Sequence, residues 1–139
     1  ALVKRQIDKL DSFISVRTYA ANMLIKKLNK FENYLILPKI SNNIKNSWFT
    51  FPIVVKQNTK LRKKDLVNYL SKKKIANRPI IAGNIAEQPF LKKFEFKKTK
   101  LKNSELVMKN GFFIGLNHKL NKKKIDYIYK TFENFFKNL

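Results

Sequence analysis

Trp48-Phe49-Thr50-Phe51-Pro52-Ile53-Val54-Val55 is a run of aromatic and β-branched residues that reads, with Lys56, as a β-strand. Pro52 cannot donate to a ladder, which predicts an edge position or a bulge. Upstream the pattern is helical: Val3, Ile7, Leu10, Ile14, Ala21, Leu24, Leu28 and Phe31 keep spacings of three and four, interrupted by Arg17. That stripe predicts one continuous helix over residues 1–32, with Pro38 excluding any continuation. Downstream, Arg62 to Lys74 fits a helix with Leu66, Tyr69 and Leu70 on its apolar face and Asp65 in its first turn. Ile75 to Ile81 reads as a short strand, and Phe112-Phe113-Ile114 as a buried one. A short helix over Asn103 to Asn110 would be capped by Asn103 and ended by Gly111. The last helix starts behind Asn121, with Leu120 and Ile125 as a staple. Its core stripe is Ile125, Ile128, Phe132, Phe135 and Phe136. Lys92 to Lys102 is expected to be exposed and mobile, anchored by Phe94 and Phe96. Three short strands with helices on one face, preceded by a long helix, make a two-layer α+β fold with an antiparallel or mixed sheet.

The chain has 139 residues, enough for one core. A helix of the predicted length would span about 45 Å, at about 1.5 Å per residue. A compact domain of this size has a radius of gyration near ~14 Å, so the helix would overhang it. The expectation is a fragment whose first helix has lost a packing partner. The formal charge of +22 would ordinarily suggest nucleic acid. Of the 31 basic residues only Arg5, Arg17, Arg62 and Arg78 are Arg, and Lys-, Asn- and Ile-rich usage is a compositional drift that touches every exposed position. Groups such as Lys72-Lys73-Lys74 and Lys122-Lys123-Lys124 are scattered, whereas a nucleic-acid binder concentrates charge on one surface among exposed aromatics. There is no cysteine and one His, which removes disulfides and makes an ordinary metal site unexpected. No apolar run approaches the roughly twenty residues of a membrane span. No membrane partner is expected, and the protein is read as cytoplasmic.

Arg78-Pro79-Ile80-Ile81-Ala82-Gly83-Asn84-Ile85-Ala86-Glu87-Gln88-Pro89 holds one of three Gly and two of four Pro, so it is a shaped loop. Pro79 biases Arg78 to an extended backbone, from which its fork of donors could reach a phosphate or sugar hydroxyl. The plainer alternative is a surface salt bridge. Gly83 allows a turn or a close approach to a ligand, Asn84 would present its amide at the loop tip, and Gln88 adds a second amide. Each could equally satisfy the loop's own backbone. His118 precedes the last helix with no neighbouring carboxylate to orient it, so a structural role competes with a direct one.

In order, Trp48–Val55, the Arg-Pro, Ala-Gly-Asn and Gln-Pro elements of 78–89, and Gly111-Phe112-Phe113-Ile114-Gly115-Leu116-Asn117-His118 resemble a known family. It is the sugar aminotransferase and dehydratase family named for its DegT, DnrJ, EryC and StrS members. The resemblance covers nearly the whole chain from Gln6-Ile7-Asp8-Lys9-Leu10-Asp11 onward, and its motifs are nearest the nucleotide-sugar 3-dehydratase branch. It implies the small domain of a fold-type I pyridoxal-phosphate (PLP) enzyme acting on a nucleotide-linked 4-keto-6-deoxysugar, by 3-deoxygenation or transamination, in surface polysaccharide synthesis. It also implies a homodimer and a large domain, absent here, that supplies the aldimine lysine or histidine. Residues 1–32 would then be an interdomain helix and 33–139 the small domain, inactive alone. Arg78, Gly83, Asn84 and Gln88 become the substrate-side candidates, with His118 and Trp48 as further ones. Two other readings remain: a basic nucleic-acid-binding or ribosome-associated module, and an interaction domain that docks a partner through its long helix.

Overall fold

The computed structural model describes residues 2–41, 43–97 and 99–139, with the side chains of residues 2–4 left out. Val3, the first member of the helical stripe, therefore lies outside the described side chains. In chain order come α1 (Leu2–Ile7), α2 (Leu10–Leu28), β1 (Leu35–Ile36), β2 (Thr50–Val55), α3 (Lys63–Lys72), β3 (Asn77–Pro79), α4 (Lys102–Asn110), β4 (Gly111–Gly115) and α5 (Lys122–Lys137). The sheet is antiparallel throughout, in the order β1-β2-β4-β3.

On β2, Phe51, Ile53 and Val55 are buried, and on β4 so are Phe112 and Ile114; these side chains face one layer of helices. That layer contributes Leu24 and Leu28 from α2, Leu66 and Leu70 from α3, and Ile125, Ile128 and Phe132 from α5 to the same core. Such alternation is what a half-buried antiparallel sheet requires. The helix α4 adds no buried residue to this core. The expected α+β layers are present, with helix starts as predicted at α3 and α5. Asn121 caps α5, its Oδ1 accepting the Lys124 amide at 3.0 Å.

Five expectations need correction. The first helix is not continuous: a turn at Asp8-Lys9 separates α1 from α2. Asp8, Asp11 and Ser12 crowd poor helix formers there, and the Ser12 hydroxyl donates to the Lys9 carbonyl at 2.8 Å. The sheet has four strands, because Leu35 and Ile36 pair with Val55 and Val54. Pro52 is consequently not on an edge strand. Since β1 reaches only Val54 and Val55, β2 has a single neighbour alongside Pro52, and the missing donor is tolerated. Asn103 does not cap α4; Leu101 holds that position without a side-chain bond. Phe94 and Phe96 do not anchor their segment, being 63% and 45% exposed. Apart from these corrections, the N-terminal stripe divides in two: Ala21, Leu24 and Leu28 are buried, whereas Ile7 and Leu10 are exposed.

Candidate functional site

The antiparallel register places Arg78 opposite Phe113, and Phe113 opposite Pro52. This row stands on the sheet face turned away from the helical core, since Phe112 and Ile114, on either side of Phe113, are buried in that core. Arg78 thus rises from an edge strand into a pocket of about 600 Å³. Phe49, Thr50, Ile81, Phe113, Gly115 and Asn117 are among its walls. Arg78 makes no ion pair or side-chain hydrogen bond among the described residues, so the surface salt bridge is not observed. Among the described residues its lining holds no other charged side chain, so Arg78 is a solvent-exposed cation bordering a mostly apolar recess.

Beyond Pro79 the chain turns through Gly83, whose φ of +59° is a left-handed conformation that glycine adopts at least cost. A Cβ there would lie 2.6 Å from the Met108 Cβ, so the glycine also lets the loop sit directly on α4. Asn84 is not at the loop tip. It is 1% exposed and caps the 3₁₀ turn Ile85–Glu87, its Oδ1 accepting the Ala86 amide at 3.2 Å. Its Nδ2 is buried and has no hydrogen-bond partner among the described residues. Gln88 spends its amide inside the loop, Nε2 donating to the Ala82 carbonyl at 2.8 Å.

The remaining candidates are packed. His118 stacks on Phe13 of α2, ring centroids 4.3 Å apart, which ties the turn before α5 to α2. Trp48 is buried beside Phe51, with its amide donating to Asn46 Oδ1 at 2.9 Å. Of the six, only Arg78 lines the pocket. Sequence reading missed Phe49, Ile81, Phe113 and Gly115. Strand alternation could have found Phe113, which lies out of phase with Phe112 and Ile114. Among the described residues no three His, Asp or Glu side chains gather to hold a metal. The displaced titrations lie elsewhere: hydrogen bonds from Tyr129 and then Lys30 hold the Glu133 carboxyl below its ordinary range.

The sequence profile of the DegT/DnrJ/EryC1/StrS aminotransferase family matches residues 1–133. The chain is 30% identical over 132 residues to the lipopolysaccharide biosynthesis protein RfbH of Salmonella typhimurium, covering 94% of this chain and 30% of that protein. It is 34% identical over 126 residues to the GDP-4-keto-6-deoxy-D-mannose 3-dehydratase of Escherichia coli O55:H7, covering 88% and 31%. A crystal structure of GDP-4-keto-6-deoxymannose-3-dehydratase with a trapped PLP-glutamate geminal diamine superposes with a TM-score of 0.79 at 32% identity, over 91% of this chain and 33% of that one. An aminotransferase from Psychrobacter cryohalolentis gives 0.82 at 12% identity, over 97% and 37%, a likeness of fold alone. The chain spans about a third of the length of the curated relatives it matches.

Proposed function

This chain belongs to the DegT/DnrJ/EryC1/StrS aminotransferase family, and from that premise we propose that it is the small domain of a PLP enzyme acting on a nucleotide-linked 4-keto-6-deoxysugar. The reaction is 3-deoxygenation or transamination, in the making of surface polysaccharide. The observation that carries this reading is Arg78, a cation with no side-chain partner among the described residues that lines an apolar pocket, on a chain 34% identical to a 3-dehydratase. In this reading Arg78 anchors the charged or hydroxyl-bearing part of the substrate. Asn84, whose Nδ2 has no partner among the described residues, is the second substrate-side residue of this reading, and Gly83 and Gln88 fix the loop that carries it.

The pocket does not fit the cofactor itself. A Schiff base needs an amine and the pyridine nitrogen an acidic partner, and among the described residues the lining holds neither a lysine nor a carboxylate. We place PLP on a larger domain joined through the helical segment 1–32, with 33–139 as the substrate-side body. The exposed Ile7 and Leu10 supply an apolar surface suited to that junction. The whole protein is placed in the cytoplasm as a homodimer. Among the described residues, no helix is long and apolar enough to cross a membrane.

The test supplies the whole protein with PLP, glutamate as amino donor and source of the two electrons that deoxygenation consumes, and GDP-4-keto-6-deoxymannose, and analyses the sugar and 2-oxoglutarate products by mass spectrometry. Loss of one oxygen reports deoxygenation; exchange of the keto oxygen for an amino group reports transamination. Arg78→Ala should lower kcat/KM by roughly five- to a hundredfold, the loss of about 1–3 kcal/mol from a desolvated charged contact, with an unchanged melting temperature. Arg78→Lys should recover only part, because it keeps the charge and loses the fork. Asn84→Ala should lower both kcat/KM and, through the lost cap, stability by about 0.5–2 kcal/mol. Absence of turnover with any 4-keto-sugar nucleotide, or wild-type kinetics in the Arg78 variants, would refute the reading.

A further inference from the structure

We infer that Phe49 is an aromatic platform for the planar base of a nucleotide, held over the pocket by a left-handed turn of the backbone at Trp48. The inference rests on the reading of Arg78 as the anchor of a phosphorylated substrate. Phe51, Ile53 and Val55 face the core, so a strand period of two would send residue 49 inward and residue 48 outward. The structure has the reverse: Trp48 is 5% exposed and Phe49 is 76% exposed. The inversion occurs at Trp48, whose φ of +49° is a conformation bulky L-residues rarely adopt. It is fixed from both sides. The Trp48 amide donates to Asn46 Oδ1 at 2.9 Å, and the Leu116 amide donates to the Phe49 carbonyl at 3.4 Å. Backbone strain of this kind persists only where its surroundings enforce it, and it clusters at ligand sites. Its outcome is a phenyl ring standing in water at a pocket that also holds Arg78, although burial of that ring would have been favourable.

The floor of the pocket supports the same conclusion independently. Gly115 pairs with Thr50 and lines the pocket, yet a Cβ added there would meet nothing within 4 Å. Its backbone does not have a positive φ. Neither packing nor conformation demands glycine here, unlike Gly83 against Met108. What the missing side chain leaves is open space in the same pocket that Phe49 lines. A flat apolar face, an open floor and one guanidinium complement a nucleoside diphosphate, whose base stacks on an aromatic ring and whose phosphates accept from an Arg fork. A base-free sugar phosphate would engage Arg78 and leave Phe49 in solvent.

The test is calorimetric titration of the whole protein with GDP and, separately, with inorganic pyrophosphate. Phe49→Ala should weaken GDP roughly five- to a hundredfold, as loss of a base–aromatic stack does, and leave pyrophosphate unaffected. Phe49→Trp should keep the GDP affinity, and Gly115→Val should weaken GDP at an unchanged melting temperature. Unchanged GDP affinity in Phe49→Ala, or an equal loss of GDP and pyrophosphate, would overturn the platform. If Arg78→Ala loses both ligands while Phe49→Ala loses neither, the anchor stands and the platform falls. A wild type that binds neither ligand overturns both readings.

Discussion

Gly83→Ala should be the most damaging small substitution in the site loop, and its cost can be worked from two terms. The first is conformational: φ is +59°, and placing an L-residue in the left-handed region costs about 1–2 kcal/mol. The second is steric. The added Cβ would lie 2.6 Å from Met108 Cβ and 2.7 Å from Met108 Cα, so a clash involves the backbone of α4 and not only a movable side chain. Overpacking of that kind costs about 1–3 kcal/mol. Together the terms reach about 2–5 kcal/mol, and for a domain of this size about 3–4 °C is lost per kcal/mol, so the melting temperature should fall by roughly 6–20 °C. Calorimetry of the whole protein measures this directly. Adding Met108→Ala should rescue little, because alanine retains the Cβ and Cα that the new methyl meets. A Gly83→Ala protein melting with the wild type would refute the close seating of the loop on α4. Full rescue by Met108→Ala would show that the clash lies with the side chain beyond Cβ.

Lys74 occupies a left-handed position, φ +60°, at the end of α3, where Ile75 N–H reaches Leu70 O at 2.9 Å and Lys74 N–H reaches Ser71 O at 3.0 Å. This is the Schellman arrangement that favours glycine, so Lys74→Gly should stabilise the fold by about 1 kcal/mol; an unchanged or lower melting temperature would contradict it. Glu133 accepts from the Tyr129 hydroxyl at 2.7 Å and pairs with Lys30 at 3.2 Å, and its folded pKa lies below the ordinary 4.5. A depressed carboxyl pKa stabilises the fold above the unfolded value and ceases to do so as pH falls through the folded one. Melting curves of wild type and Glu133→Gln should therefore converge as pH drops below 4.5, whereas parallel curves would remove the network from the stability of α5.

What could be read from the chain and what could not divide along physical lines. The aromatic and β-branched run before Lys56 and the apolar run Phe112-Phe113-Ile114 named two strands of the sheet, but not that Phe113 stands out of phase with its buried neighbours. The strand β1 escaped because two residues carry no period. The edge expectation for Pro52 failed because what a proline requires is a missing neighbour at its own position, and that depends on where β1 stops. The break at Asp8-Lys9 was hidden by Ile7 and Leu10, which keep helical spacing across the turn. Asn84 was expected at a loop tip from residue type alone, yet Gly83 folds the loop back onto α4 and Asn84 is buried. The site itself was half legible: Arg78 before Pro79 was visible, but Phe49 was not, because its exposure comes from a left-handed tryptophan that breaks the strand's phase.

The same composition that argues against a nucleic-acid reading lends weight to Arg78. In a chain with 31 basic residues, four are Arg. A drift toward Lys is harmless where only charge and solubility matter, and it is felt where the planar fork is used. Arg62 uses the fork: Nε and one terminal nitrogen donate to the two oxygens of Asp65 at 2.6 and 2.9 Å. Arg17 uses its Nε, donating to the Phe13 carbonyl at 3.3 Å within α2. Arg78 has the same fork, projected from an edge strand into an apolar pocket, and no side-chain acceptor among the described residues. Charge alone does not explain that placement, since Lys is the cheaper source of charge throughout this sequence. A guanidinium positioned without an internal partner is suited to an acceptor that arrives from outside, and a phosphate or a vicinal pair of sugar hydroxyls presents two oxygens at the spacing the fork demands.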